Sequence, residues 1–163
     1  MARVDLPDGD QLEVTRALQL APHFVDVVAG YERAVAHSQL DRRLHELVRY
    51  RIAQLNACTV CLAFRWTKAG VPEEDLARVG DPVAQLSFTA AEQAALQFAE
   101  LFATDSTSIS DELMATLAEH LGAAGVVDLT LVAGKYVAMG RFMQVLGLDQ
   151  SCEIDPERLA QRV

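Results

Sequence analysis

The sequence predicts an all-α, single-domain helical bundle, and three observations carry the prediction. Half of its 163 residues are hydrophobic while only 6% are aromatic, with Ala and Leu dominating, a composition that favours helices over sheets or disorder. Apolar residues recur at i, i+3, i+4, i+7 in successive segments, the spacing of amphipathic helices. Helix start and stop signals separate those segments. The length suits one core of ordinary size, and neither an internal repeat nor a low-complexity run interrupts it.

Residues 1–19 read as an N-terminal arm, polar at first and carrying Pro7 and Gly9. A helix is predicted over 21–38, with Phe24, Val27, Val28, Tyr31 and Val35 on one side. A second covers 40–57, with Leu44, Leu47, Val48, Ile52 and Leu55 and with Asp41 as N-cap. Asn56 and Ala57 form a short break. Cys58 or Thr59 then opens a third helix, "TVCLAFRWTKA", closed by Gly70 with Pro72 beyond. Residues 71–88 hold a short acidic turn of helix, "PEEDLARV", and a loop at Gly80-Asp81-Pro82. Thr89 and Glu92 form a capping box for a helix over 89–103. A shorter amphipathic helix follows at 110–122 and ends at Gly122. The last element, about 123–146, is apolar around most of its circumference and therefore central or interfacial. The bundle domain spans 20–148, and 149–163 is a C-terminal tail containing Cys152, read as an exposed bystander.

The formal net charge of −9 argues against nucleic acid, whose phosphates need clustered Lys and Arg. The start lacks the apolar run of an export signal, and the longest apolar candidate is broken by Asp128, Lys135 and Arg141. A cytoplasmic location with no membrane partner follows. In that reducing compartment a Cys-x-x-Cys is more often catalytic or metal-binding than structural.

Cys58 and Cys61 form such a pair. At a helix start, one thiol lies near unpaired N–H groups and the positive end of the dipole, which stabilises a thiolate, and the other is in reach to close a disulfide. Thr59 and Val60 between them, with no βαβ pattern around, argue against a thioredoxin fold. Zinc lacks ligands, because His23, His37, His45 and His120 are scattered. Two core hydrophobes remain a third reading, since free cysteine is among the most buried residue types. If the chain turns back near Asn56, an antiparallel helix pair sets Glu46 near Arg65, and Arg65 shares a helix face with both cysteines. There Arg65 favours a Cys61 thiolate and pairs with Glu46, while Tyr50 points along the same side. His45 points about 100° away from Glu46. Lys135 and Tyr136 are candidates to line the site or an interface. Arg141 has Asp128 or a carboxylate from another chain as candidate partners, and Phe64 and Trp66 read as core or interface more than substrate wall.

With Glu46 twelve residues before the pair, "HELVRYRIAQLNACTVCLAFRWTKAG" resembles the alkylhydroperoxidase D-like members of the carboxymuconolactone decarboxylase family. "GYERAVAHSQLDRRLHELV" and "MGRFMQVLG" extend the likeness over roughly residues 20–148. The resemblance implies an all-helical protein that assembles as a trimer or hexamer. It further implies a peroxidase that reduces hydroperoxides through a dithiol-disulfide cycle, regenerated by a lipoyl-bearing or similar thiol partner, with no metal, flavin or haem. By position, Cys61 matches the thiol that attacks peroxide, Cys58 the one that resolves it, and Glu46 the proton-relay carboxylate. Arg65 stands where the family motif has histidine, and an arginine stabilises a thiolate but shuttles no proton. Arg65→Ala is accordingly expected to slow Cys61 alkylation at neutral pH. The alternatives are a lyase of the decarboxylase branch and a non-enzymatic oligomeric binding protein with a degenerate site.

Overall fold

The computed structural model describes residues 2–149. They form one helical domain with no strand among the described residues, as the composition and periodicity predict. The helices are α1 (Glu13–Gln19), α2 (Pro22–Ala36), α3 (Arg42–Leu55), α4 (Thr59–Ala63), α5 (Glu73–Arg78), α6 (Ala90–Thr104) and α7 (Asp111–Leu146). Cys152 and the rest of the tail from 150 lie outside the described residues.

α3, α6 and α7 carry the core. α3 turns Leu44, Val48 and Ile52 against Ala95, Phe98 and Ala99 of α6 and against Leu129, Val132 and Ala133 of α7. Val48, Ile52, Ala95, Ala99 and Leu129 have no exposed surface, and each larger side chain of this kind stabilises the fold by roughly 1.5–3 kcal/mol on burial. Asp41 caps α3 by accepting the N–H groups of Arg43 and Leu44 at 3.0 and 3.1 Å. Thr89 and Glu92 close the predicted capping box on α6. The second oxygen of Glu92 accepts Arg43 Nε–H at 2.6 Å, so the cap also ties α6 to α3. α7 is interrupted where the sequence ends its shorter helix, at Gly122 (φ 69°, ψ 169°), a conformation reserved for glycine.

Two expectations are overturned. The first concerns the arm, because residues 13–19 form α1, capped from the far end of the chain. The Asp149 carboxylate accepts the N–H groups of Glu13 and Val14, both at 3.0 Å, and the Glu13 carboxylate accepts Asp149 N–H at 2.6 Å. Leu6, Val14 and Ala17 pack on Cys58, Val60, Met143 and Leu148. A helix this short is not stable alone, so the tertiary cap and packing create it.

The second is the third helix, which ends at Ala63 because Phe64 is extended (ψ 140°). Side chains occupy the carbonyls that a continuing helix would use. Arg49 donates to Cys61 O at 2.6 Å and to Phe64 O at 3.1 Å, and Arg65 donates to Leu62 O. Trp66 N–H, which a longer helix would aim at Leu62 O, instead meets Glu46 Oε1 at 3.4 Å. The chain resumes as a 3₁₀ turn over Thr67–Ala69 and stops at Gly70 (φ 65°), the predicted glycine end.

Candidate active site

α3 positions the site. His45, Arg49, Ala53 and Asn56 follow at helical spacing and line a cavity of about 680 Å³. Val14 and Leu18 of α1, Val25 and Val28 of α2, and Tyr136 and Met139 of α7 form other walls. Asn56, the C-cap of α3, donates from Nδ2 to Tyr136 O at 3.0 Å and so fixes the turn before the cysteines against α7. Ala57 completes that turn with φ 49°.

Cys58 and Cys61 are joined by a disulfide, with their Cα atoms 5.2 Å apart. The two sulfurs sit in different surroundings. Cys58 is the N-cap of α4, is fully buried, and accepts Cys61 N–H on its sulfur at 3.4 Å. Cys61 is half-buried and lines the cavity. A molecule in the cavity therefore meets Cys61, while Cys58 lies behind it under Ala17, Met143 and Leu148.

The cation beside the pair is Arg49, not Arg65. Glu46 is 1% exposed, and Arg49 grips both of its oxygens, with Nε to Oε2 at 2.5 Å and Nη2 to Oε1 at 2.7 Å. The same guanidinium bonds the carbonyl of Cys61 at 2.6 Å. Such a bidentate, buried pair holds one geometry, because removing either partner strands a charge. Arg65 does lie near Glu46, as the hairpin spacing predicts, since both line a separate crevice of about 280 Å³ with Trp66 and Glu73. Its ion pair, however, is with Glu73 (Nε to Oε1 at 2.5 Å), whose side chain is 69% exposed. The guanidinium pKa is raised, chiefly by that hydrogen bond. The physical reason is the end of α4 at Ala63: beyond it, Arg65 no longer follows Cys61 along one helix face.

Sequence reasoning left out two members of this wall. Arg49 follows Glu46 by three positions, the spacing of a helical ion pair, and that is the signal that could have found it. Helical geometry turns His45 away from Glu46, yet its ring faces Trp66 edge-on at 5.0 Å and its Nε2 lies 3.0 Å from the Tyr136 hydroxyl. Burial, with Arg49 adding to it, pushes the His45 pKa down to about 4, so the imidazole is neutral at physiological pH. Burial also lowers the pKa of Lys135, which pairs with Glu32 at 2.7 Å. Phe64 and Trp66 line the cavity, which favours a wall over the core or interface that the sequence predicts for them. Asp128 accepts from Ser38 and Gln39, and Arg141 donates to Ala103 O, so these two residues are not partners. Among the described residues no three His, Cys, Asp or Glu side chains gather as a metal-holding group.

Residues 22–101 match the family model described as the carboxymuconolactone decarboxylase family. The chain belongs to that family. The match ends within α6, and it takes in α3, the cysteine pair and Arg65. Two bacterial relatives are similar over most of the chain. The uncharacterized protein YdfG of Bacillus subtilis is 25% identical across 79% of this chain and 90% of its own length. The uncharacterized protein YnjA of Escherichia coli is 28% identical across 74% of this chain and 69% of its own. A crystal structure of an Agrobacterium tumefaciens protein of unknown function superposes with a TM-score of 0.76 at 18% identity, covering 94% of this chain and all of that one. At that identity the likeness establishes the fold of this family member.

Proposed function

We propose that this family member is a thiol-dependent peroxidase that reduces hydroperoxides through the Cys58/Cys61 pair. One observation carries the reading: the two cysteines form a disulfide of which only Cys61 opens to a cavity. A description of the Agrobacterium neighbour as an antioxidant defence protein, AhpD, supports the same reading. In the reduced protein the Cys61 thiolate attacks the terminal peroxide oxygen. The O–O bond breaks, the alkyl oxygen leaves as an alcohol after taking the proton that Cys61 gave up, and Cys61 becomes a sulfenic acid. The Cys58 thiol then displaces that hydroxyl as water, closing the disulfide. A dithiol of lipoyl type returns the pair to the reduced state by attack on Cys61, the sulfur within reach of the cavity. Arg49, bonded to the Cys61 carbonyl, supplies the positive field that favours the thiolate. We place this chemistry in the cytoplasm, in a self-associated protein.

The experiment is a titration of the reduced protein with hydrogen peroxide and tert-butyl hydroperoxide, read by mass spectrometry with thiol alkylation. The expected result is a stoichiometric Cys58–Cys61 disulfide, reversed by dihydrolipoamide. Thiols that stay alkylatable after excess of both peroxides sink the reading and leave the cavity as a binding site.

A further inference from the structure

We propose that Tyr136 is a catalytic residue of this site: held by His45, its hydroxyl presents a proton to the cavity and donates it as a hydrogen bond to the oxygen that leaves when the peroxide bond breaks. The reaction step rests on the peroxidase reading, whereas the hydrogen-bond assignment rests on the geometry alone.

The His45 ring carries an orphaned nitrogen. His45 Nδ1 has less than 1 Å² of accessible surface and no hydrogen-bond partner. A neutral imidazole carries one N–H, which must sit on one of its two nitrogens. Placed on Nδ1, that hydrogen is buried without an acceptor and pays the full desolvation cost of an unmade bond. Placed on Nε2, it is donated to the Tyr136 oxygen at 3.0 Å, and Nδ1 keeps only an unused lone pair, the more tolerable orphan. The second arrangement fixes the roles. Tyr136 then accepts from His45, and its own proton has no acceptor among the described residues, on a side chain that lines the same cavity as Cys61. The spare donor of the pair is thus placed where a guest can accept it.

The surroundings keep both groups in the required form. Burial lowers the His45 pKa, Arg49 and Lys135 add to that, and Asp128 opposes it. Burial raises the Tyr136 pKa, with Glu32 and Glu46 adding to that and Arg49 opposing it. The phenol therefore stays protonated and the imidazole neutral across the range in which a thiolate works. Lys135 Nζ over the Tyr136 ring at 4.3 Å and Asn56 on the Tyr136 carbonyl leave the side chain little freedom to turn away. A fixed donor in a largely apolar cavity stabilises charge developing on oxygen without reorganising at the moment of reaction. In the step, sulfur bonds to the terminal oxygen and the O–O pair passes to the alkyl oxygen. That oxygen, hydrogen-bonded by Tyr136, takes the proton released by Cys61. The peroxide is reduced by the two electrons that Cys61 loses.

The test compares Tyr136→Phe, His45→Leu and His45→Gln with wild type on a series of hydroperoxides whose alcohols differ in acidity. Tyr136→Phe is expected to lower kcat/KM for tert-butyl hydroperoxide about 10- to 100-fold, with a steeper dependence on leaving-alcohol acidity. Alkylation of reduced Cys61 by iodoacetamide is expected to stay within about twofold, because the donor serves the peroxide and not the thiolate. His45 is a positioning residue, so His45→Leu follows Tyr136→Phe, and His45→Gln, which keeps an N–H donor, recovers most of the rate. Wild-type turnover by Tyr136→Phe overturns the proposal, as does an alkylation rate that falls in the same proportion. If wild type is inert to every hydroperoxide, it is the peroxidase reading that fails. Calorimetry of 2-phenyl-2-propanol binding to the disulfide form then decides on Tyr136: binding weakened about threefold or more in Tyr136→Phe upholds the donor, and equal binding overturns it.

Discussion

Two arginines lie near Glu46, and burial decides which of them matters. Arg49 is 4% exposed and bonded to both carboxylate oxygens, so Arg49→Met leaves a buried charge without its partner. The expected loss is about 3–5 kcal/mol in urea denaturation, with part regained in the double variant that also carries Glu46→Leu. Arg65 pairs instead with a largely exposed Glu73, an interaction worth at most about 1 kcal/mol. Arg65→Ala is now expected to leave the alkylation rate of Cys61 within about twofold of wild type, in place of the slowing that the sequence predicts, since Glu73 already neutralises the Arg65 charge and Arg65 lines a crevice other than the cavity onto which Cys61 opens. His45 makes a different kind of statement. Its pKa falls from 6.5 to about 4 on folding, so between those values the unfolded chain binds the extra proton. The stabilisation is complete above pH 6.5 and is lost as pH falls toward 4, amounting to on the order of 3 kcal/mol over the full shift. Urea midpoints measured from pH 7 to pH 4.5 should drop for wild type and drop less for His45→Gln. Equal slopes would assign the acid sensitivity to other groups.

At the scale of helices, the contact between α7 and the end of α3 places the cysteine turn. A Cβ on Gly140 would stand 2.3 Å from Asn56 Nδ2 and 3.1 Å from Asn56 Cβ, and Asn56 is the residue that ties this turn to α7. Gly140→Ala is therefore expected to cost about 2 kcal/mol by overpacking and to speed reduction of the disulfide by dithiothreitol as the turn loosens. A wild-type reduction rate in that variant would separate the turn from the cysteines. What the sequence made legible follows the same division between local and distant causes. α2, α3 and α6 carry their own periodicity, and Asp41, Thr89 and Glu92 their own caps, so these helices were readable. The break at Gly122 was readable because only glycine takes that backbone shape without strain. α1 and the end of α4 were not. The first is capped by Asp149 from the other end of the chain, and the second is closed by Arg49 from the preceding helix. Neither partner is marked by any residue beside the element it shapes. The same limit governs the site, where Cys58, Cys61 and Glu46 stand out in a motif while His45 and Tyr136 meet across 91 positions.

For the whole molecule, the unexplained feature is apolar surface. Phe24 and Val27 of α2 are 52% and 65% exposed, and Val127 and Leu131 of α7 are 60% and 55% exposed. The two helices run antiparallel, with the Tyr31 hydroxyl donating to Leu131 O at 2.6 Å, Glu32 paired with Lys135, and Ser38 and Gln39 bonded to Asp128, so Val127 lies beside the end of α2 and Phe24 and Val27 near its start. By length and composition α7 is also apolar enough to cross a membrane. Its inner face is nevertheless committed to α3 and α6 through Leu129, Val132 and Ala133, which leaves only the outer stripe to be covered. Val127 and Leu131, one turn apart on α7, form an exposed apolar stripe, and apolar side chains clustered in this way mark an interaction surface. A second copy of the chain is the occupant that the family resemblance implies. Val127 and Leu131 lie one turn apart on the outside of α7, away from the cavity lining, so charge placed there tests association without touching the site. The Val127→Glu and Leu131→Glu double variant is expected to elute as a monomer in light-scattering chromatography, and wild type is expected to elute as an oligomer, since a carboxylate buried in an apolar interface without a partner costs several kcal/mol. Its disulfide should still form with peroxide, because Cys61, Arg49 and Tyr136 all belong to one chain. A wild-type protein that elutes as a monomer would remove the interface, and loss of disulfide formation in the double variant would mean that assembly, and not the single bundle, completes the site.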